Sequence, residues 1–193
     1  MTVGYVSLIP TGGEVASGVI VDTDSPAIMQ LALERWPGCL VKRLPPESDD
    51  EGMIASSIRN EVGLGSQLVI VIGGSGGGRA FAATLAPDVS HRGIKQVFPD
   101  ASAAEIWGSN GHLFCEMLAA RHDAGWVINV PGPLPEAVAA CKAAMDAIVG
   151  GVEPEQIVQR MADAVVAQYP GAAASVGSAG PVEPMGPVEP VTE

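Results

Sequence analysis

The sequence predicts an α/β domain, a three-layer α/β/α sandwich around a mostly parallel central sheet. Three observations lead there. Short apolar runs alternate with amphipathic stretches that begin on capping residues. The run Gln67–Ile72 (QLVIVI) is β-branched and apolar on both faces, as a central parallel strand must be. Glycine-bearing turns follow three of the apolar runs, after Ile9, Ile72 and Val130, and in such sheets the carboxyl ends of the strands share one edge.

Taken in order, Val3–Ile9 reads as the first strand, with its turn at Pro10-Thr11-Gly12-Gly13. Ser25 and Pro26 supply a cap and a first helical residue for a helix reaching about Trp36, where Pro37-Gly38 ends it. Cys39–Leu44 is a second strand, and Ser48 or Asp49 caps a helix from about Asp50 to Val62. After Gln67–Ile72 and the run Gly73–Gly78, Arg79–Leu85 reads as a short helix. Turn signals punctuate Ser90–Phe114, and His112–Arg121 reads as a further helix. Trp126–Val130 is a strand closed by Pro131-Gly132-Pro133, and helices are expected over Pro135–Val149 and Pro154–Gln168. The first helix of that pair carries Val138, Cys141, Met145 and Ile148 on one stripe, a packing face, and its many alanines offer a flat surface on which subunits could meet. We expect one domain over residues 1–169. The stretch 170–193 repeats Gly-Pro-Val-Glu-Pro and reads as a disordered tail, because proline recurs too often for helix or ladder.

Composition narrows the function. The chain has 193 residues, a formal net charge of −12 and 47% hydrophobic residues. So acidic a protein lacks the basic footprint of a nucleic-acid or anionic-membrane binder. A small anion is still admissible, because a local pocket of N–H groups acts at short range against the global charge. Cys39, Cys115 and Cys141 show no metal-ligand spacing and suit reduced thiols, hence a cytoplasmic protein. The opening residues lack a basic segment and read as a strand rather than a signal peptide. No apolar segment approaches the roughly 20 residues that cross a bilayer.

The run Gly73–Gly78 is the first candidate for chemistry. Glycines after a strand reach positive φ and turn backbone N–H groups into a hollow, which suits phosphate or carboxylate oxygens. It is not the nucleotide-binding lysine loop, since no Gly-Lys-Ser/Thr follows, nor the dinucleotide fingerprint. A tight strand-to-helix connection without a ligand gives the same residues.

Taken together, Thr11-Gly12-Gly13-Glu14 with Ser17-Gly18 and Asp22, Asp50-Glu51 before a helix, Ile72-Gly73-Gly74-Ser75-Gly76, and Ile128-Asn129-Val130-Pro131-Gly132 resemble the molybdopterin-binding family in order and spacing. That group comprises molybdopterin adenylyltransferases, the related domain of molybdotransferases, and CinA-like proteins; the resemblance spans roughly residues 1–150. It implies that Thr11, Gly12, Gly73, Gly74, Ser75, Gly76 and Gly77, with Asn129, Pro131 and Gly132, line a pocket for the phosphate of a pterin. It also implies Asp50 as an active-site acid that holds a divalent cation such as Mg2+, with molybdopterin as ligand or substrate and ATP as co-substrate. Trimers are common in this group, so a homo-oligomer is expected, a trimer in preference.

The sequence also departs from the family. A second catalytic aspartate ordinarily follows the glycine loop, whereas Gly77–Thr84 holds no acid, and Asp88 comes only beyond Pro87. Arg79 lies where a helix dipole disfavours a cation, which suggests a clamp on a carboxylate or phosphate; a surface ion pair is the plain alternative. His112 and Glu116 stand four residues apart and on a helix would form a general acid/base couple. For His91, His112 and His122 alike, an ordinary satisfied side chain is the simpler reading. Three functions stay open: nucleotidyl transfer in molybdenum cofactor biosynthesis, a non-catalytic ligand-binding or assembly subunit, or a hydrolase using Arg79, His112 and Glu116.

Overall fold

The residues Leu68–Ile72 are nowhere more than 4% exposed, and the rest of the sheet is laid out on either side of them. The computed structural model describes residues 2–81, 85, 87–108, 111–169 and 175–178. β1 (Tyr5–Pro10) leads through the one-turn α1 (Gly13–Ala16) and α2 (Asp24–Arg35) to β2 (Leu40–Arg43). The helix α3 (Glu51–Gly63) returns the chain to β3 (Leu68–Ile72). The four-residue α4 (Gly78–Phe81), α5 (Ser90–Val97), β4 (Ser102–Trp107), β5 (Leu113–His122) and β6 (Gly125–Val130) follow. The long helices α6 (Leu134–Gly150) and α7 (Pro154–Val166) come next, then β7 (Ser175–Ser178).

The strands lie in the order β2-β1-β3-β6-β5-β4-β7. The first four are parallel and the last three join antiparallel. Alternation along β3 makes the two cores. Leu68, Ile70 and Ile72 pack with Ile28 of α2, Ala144 of α6 and Met161 of α7, whereas Val69 and Val71 face Ile54 and Ile58 of α3 and Ile94 of α5. The three-layer α/β/α arrangement is thus the one expected, and the sheet is parallel through its centre.

Two features of α6 follow from its composition. It begins beside Pro133 and Pro135, whose missing N–H groups cost nothing at a helix start, and ends on Gly151 at φ 67°. Ala137, Ala140, Ala144 and Ala147 are each 0% exposed. The alanine face expected to meet a neighbouring subunit is therefore consumed inside the domain, where small side chains let α6 lie close to its neighbours.

The region after β3 differs most from expectation. Helix α5 and strand β4 occupy a stretch that turn signals alone could not resolve, and the helix expected over His112–Arg121 is the strand β5. Its residues Cys115–Ala120 are buried on both faces, so the period-2 alternation that marks a half-exposed strand is absent. Met117, Leu118, Ala119 and Ala120 are good helix formers; pairing with β4 and β6 overrides that weak preference. No element was expected past residue 170, yet Ser175–Ser178 pairs antiparallel along β4. The Gly-Pro-Val-Glu-Pro repeats expected to be disordered lie outside the described residues. Among the described residues no helix is long and apolar enough to cross a membrane.

Pairing of β5 with β6 extends only to Ala119 opposite Ile128. Beyond it the fully buried side chain of Asn129 replaces the ladder: its Oδ1 accepts from Leu118 N–H at 2.6 Å and its Nδ2 donates to the Glu116 carbonyl at 2.7 Å. One amide thus satisfies two backbone groups that would otherwise be orphaned in the core. Replacing Asn129 with Ala strands both of them, at about 1–3 kcal/mol each. We expect a loss of about 2–4 kcal/mol in urea unfolding, with the far-ultraviolet spectrum of the surviving folded protein unchanged.

Candidate functional site

The chain runs outward from β1 to β2 and then crosses back to β3, so the strand order reverses between β1 and β3. At such a switch point the connections leave on opposite faces and open a crevice beyond the carboxyl ends. Thr11 and Gly73 stand at that point. Thr11 donates its N–H (2.8 Å) and its hydroxyl (2.9 Å) to the Ile72 carbonyl, and Gly73 N–H donates to the Val130 carbonyl at 3.0 Å. The turns after β1, β3 and β6 therefore meet on one rim.

Glycine is required in this turn for two reasons. Gly73 and Gly74 have φ of 87° and 62°, the left-handed region that strains any L side chain. A Cβ on Gly74 would also stand 3.2 Å from Thr11 Oγ1 and 3.4 Å from Ser90 Cβ. The loop then crosses the end of β6 and docks on β5: Glu116 N–H donates to the Ser75 carbonyl (2.8 Å) and Gly77 N–H to the Leu113 carbonyl (2.9 Å). Ser90, at the head of α5, donates its N–H to the Gly74 carbonyl at 2.9 Å. Between these ties the N–H groups of Gly74, Ser75 and Gly76 have no acceptor among the described residues.

Acidic groups gather beside those N–H groups. Asp88, itself at φ 47°, holds Oδ2 3.0 Å from where a Gly76 Cβ would stand. Burial pushes its carboxyl above the usual range; Asp49 and Glu14 push the same way, while His112 and the Gly78 N–H oppose them. Asp49 also accepts from Gly13 N–H at 3.0 Å, which ties the first turn to the cluster. His112 is there too, its ring Cδ2 3.3 Å from where a Gly77 Cβ would stand. Among the described residues no three His, Cys, Asp or Glu side chains form a metal-holding group by themselves.

Other candidates from the sequence are placed elsewhere. Asp50 caps α3, its Oδ1 accepting from Met53 N–H at 2.9 Å. Arg79 is exposed, and its Nε donates to the Leu85 carbonyl at 3.2 Å, bracing its own segment. Both polar atoms of the Asn129 amide serve β5. The His112–Glu116 couple required a helix; on a strand it does not form. Buried Glu116 instead accepts from Lys95 Nζ, and its Oε2 lies 3.9 Å from His91 Nε2. Burial depresses the His91 imidazole, with Glu116 opposing. Gly12, at φ 122°, donates to the Glu47 carbonyl (3.1 Å), and buried Pro131 leads into Gly132 beside Gly73. The sequence gives Asp49 only a capping role, reads His91 as an ordinary side chain, and offers no signal for Lys95 beside Glu116. Asp88 it places too far along the chain to matter.

A cleft of about 340 Å³ opens on the other side of Thr11 and Gly73, walled by Val15, Ile20, Leu134 and Asp24. Asp22, just before it, accepts from Ser25 N–H (2.9 Å) and Arg43 Nε (2.8 Å). These bonds outweigh burial and hold its carboxyl low. Asp24 has no such help: burial, then the charge of Asp22, pushes it up to about 6. A carboxyl raised in the folded state binds its proton more tightly there than in the unfolded chain, so stability falls as pH rises from about 4 through 6. Asp24→Asn removes that loss. Its urea midpoint should match the wild type near pH ~4 and exceed it near pH ~7; an excess that is the same at both values would exclude ionisation of Asp24 as the cause.

No family model matches the chain, and no curated protein does. Solved structures do. The chain is similar to the CinA protein of unknown function from Thermoplasma acidophilum at 17% identity and a TM-score of 0.58, over 76% of this chain and 98% of that one. It is similar to the tungsten cofactor synthesizing protein MoaB from Pyrococcus furiosus at 16% identity and a TM-score of 0.55, over 78% and 94%. The molybdopterin biosynthesis Mog protein from Mycobacterium ulcerans gives 17% identity and a TM-score of 0.54, over 79% and 98%. The chain thus has the molybdopterin-binding fold of the CinA, MoaB and Mog proteins.

Proposed function

We propose that the protein binds a phosphorylated small molecule over Gly74–Gly76 through a divalent cation, in nucleotidyl transfer of the kind used in molybdenum cofactor biosynthesis. One observation carries this reading: the Asp88 carboxylate packs against Gly76 of the glycine turn and is acted on by the charges of Asp49 and Glu14. Left to themselves the carboxylates repel the anion that the N–H groups attract. A cation between them turns the repulsion into a bridge. Magnesium suits such a place, because it keeps several waters and takes one or two carboxylates plus the phosphates of its substrate. That coordination needs no trio of protein ligands.

In this reading Asp88 and Asp49 hold the cation, and Asp50 stays with its helix. Gly74, Ser75 and Gly76 hold phosphate oxygens by their N–H groups, and buried Thr11 keeps the Gly73 turn closed. The cation supplies neutralisation of the charge that develops on the phosphate. Molybdopterin as ligand or substrate and ATP as co-substrate fit the relatives described as cofactor-synthesising proteins. A homo-oligomer, a trimer in preference, belongs to the same proposal, on a surface other than the alanine face of α6; light scattering reads it.

A second reading is binding without turnover, favoured by the commitment of Asp50 to its helix cap and of Arg79 to the Leu85 carbonyl. The hydrolytic reading is not retained, since Arg79 is spent on the Leu85 carbonyl and Glu116 on Lys95. Incubation with molybdopterin, ATP and Mg2+ separates the two that remain: an adenylylated product supports transfer, and binding without product supports the second. For the cation itself, Mg2+ with ADP should raise the melting temperature of the wild type by several degrees, about 2–4 °C per kcal/mol of binding. Asp88→Asn should lose most of that rise. Equal rises in both proteins would exclude Asp88 as a cation ligand.

A further inference from the structure

Three titratable side chains lie together under the glycine turn, and the phosphate reading makes no use of them. Glu116, 3% exposed on β5, accepts from Lys95 Nζ of α5, and its Oε2 lies 3.9 Å from His91 Nε2. The group is fastened to the turn by backbone on both sides. Glu116 donates its N–H to the Ser75 carbonyl at 2.8 Å, and Ser90, next to His91, donates to the Gly74 carbonyl at 2.9 Å. The other ring nitrogen of His91, Nδ1, is buried without a hydrogen bond among the described residues. No ligand reaches that atom, so its influence on binding passes through the turn.

The charges around the ring lean against a proton. Burial disfavours it, and Lys95 and Arg92 of α5 act the same way; Glu116 and the Gly74 backbone favour it. The ring also stands in the first turn of α5, where the helix dipole disfavours a cation. From α3, Glu51 is taken by Arg92 at 3.6 Å, and Arg59 reaches the Gln96 carbonyl at 3.3 Å. Glu116 serves Lys95 as well, so its single charge is divided. An anion on the N–H groups of Gly74–Gly76 brings a further negative charge to the same turn. We propose that the glycine turn takes up its anion together with a proton from solvent, which lodges on His91. Protonated, the ring carries two N–H donors. Glu116 and the Gly74 carbonyl are their acceptors, and the turn is held while its own N–H groups meet the anion. His91 is thus a positioning residue that does not touch the ligand. The inference rests on the phosphate reading of Gly74–Gly76 and adds a condition to it. Affinity rises as pH falls through the titration of the ring, because an anion that prefers the protonated form raises the ring's midpoint by the same factor.

Sulfate, which has the shape of phosphate but gains no proton near neutral pH, tests it on the full chain labelled with nitrogen-15 and carbon-13. Magnesium sulfate is compared with magnesium chloride at equal ionic strength. Sulfate should move the amide signals of Gly74, Ser75 and Gly76. It should also raise the titration midpoint of the His91 ring by about one pH unit, the counterpart of a coupling of about tenfold. Across that range the wild type should bind sulfate about tenfold more tightly toward low pH. His91→Gln, which keeps Asp88 and its titration, should lose that dependence. Should the variant fail to fold, the ring midpoint of the wild type carries the test. Sulfate that moves the three amides and leaves the ring midpoint in place, or a variant that keeps the full pH dependence, overturns the proton uptake and leaves the anion floor standing. Sulfate that moves none of the amides overturns both.

Discussion

The rim of the sheet depends on one side chain standing in for backbone. Asn129 supplies the donor and the acceptor that β5 loses where it parts from β6. With those groups satisfied, β5 stays in the core at a distance from β6 and presents further backbone groups to the loop that follows β3. Ser75 and Gly77 take them up. The glycine turn is thus held from below by Thr11 and Val130, and from the side by β5. A loop rich in glycine loses much conformational entropy on ordering, and these ties oppose that loss. They leave three consecutive N–H groups, those of Gly74, Ser75 and Gly76, without a backbone acceptor among the described residues.

Electrostatics at the rim runs against the first impression given by the composition. A net charge of −12 suggests general repulsion of anions, and the acids nearest the glycine turn sharpen it, since Asp88 is raised first by burial and then by Asp49 and Glu14. Salt shortens the reach of the global charge to about 10 Å or less, so the local arrangement governs. Within that radius the turn offers N–H dipoles to an anion and a carboxylate pair to a cation. The two features agree only when both ions bind together, which is the physical reason for reading the site as one for a metal-bound phosphate.

The parallel half of the sheet was legible because burial on both faces writes itself into the sequence as unbroken β-branched runs, Leu68–Ile72 being the clearest. Its helix caps were not: the sequence offers Ser25 for α2 and Ser48 or Asp49 for α3, whereas Thr23 and Asp50 hold those positions. The antiparallel half was not, since β5 is buried on both faces with residues that favour helix, and only its partners settle the matter. At the site, the glycines were legible through the conformations they permit. The acids were not. Asp49 and Asp50 are chemically alike, and which of them caps α3 is decided by backbone angles at Asp50, φ −127° and ψ 116°. Asp88 is separated from the loop in sequence but brought back to it by a left-handed turn of its own. Linear spacing carries no sign of such a return.

That return bears on the missing acid. A carboxylate directly after the glycine loop would begin a helix and be fixed by its first turn. Here α4 takes that place with Gly78 and Arg79, and the acid comes instead from the approach to α5, whose first residue donates to the Gly74 carbonyl. Asp88 is therefore held against the loop: its carboxylate packs against Gly76, and Ser90, two residues on, donates to the Gly74 carbonyl. Its position is consequently set by the turn it serves. A cation bound there would bear on α5, on the loop and on the first turn through Asp49 and Gly13, and so would draw together the segments that close the crevice between β1 and β3.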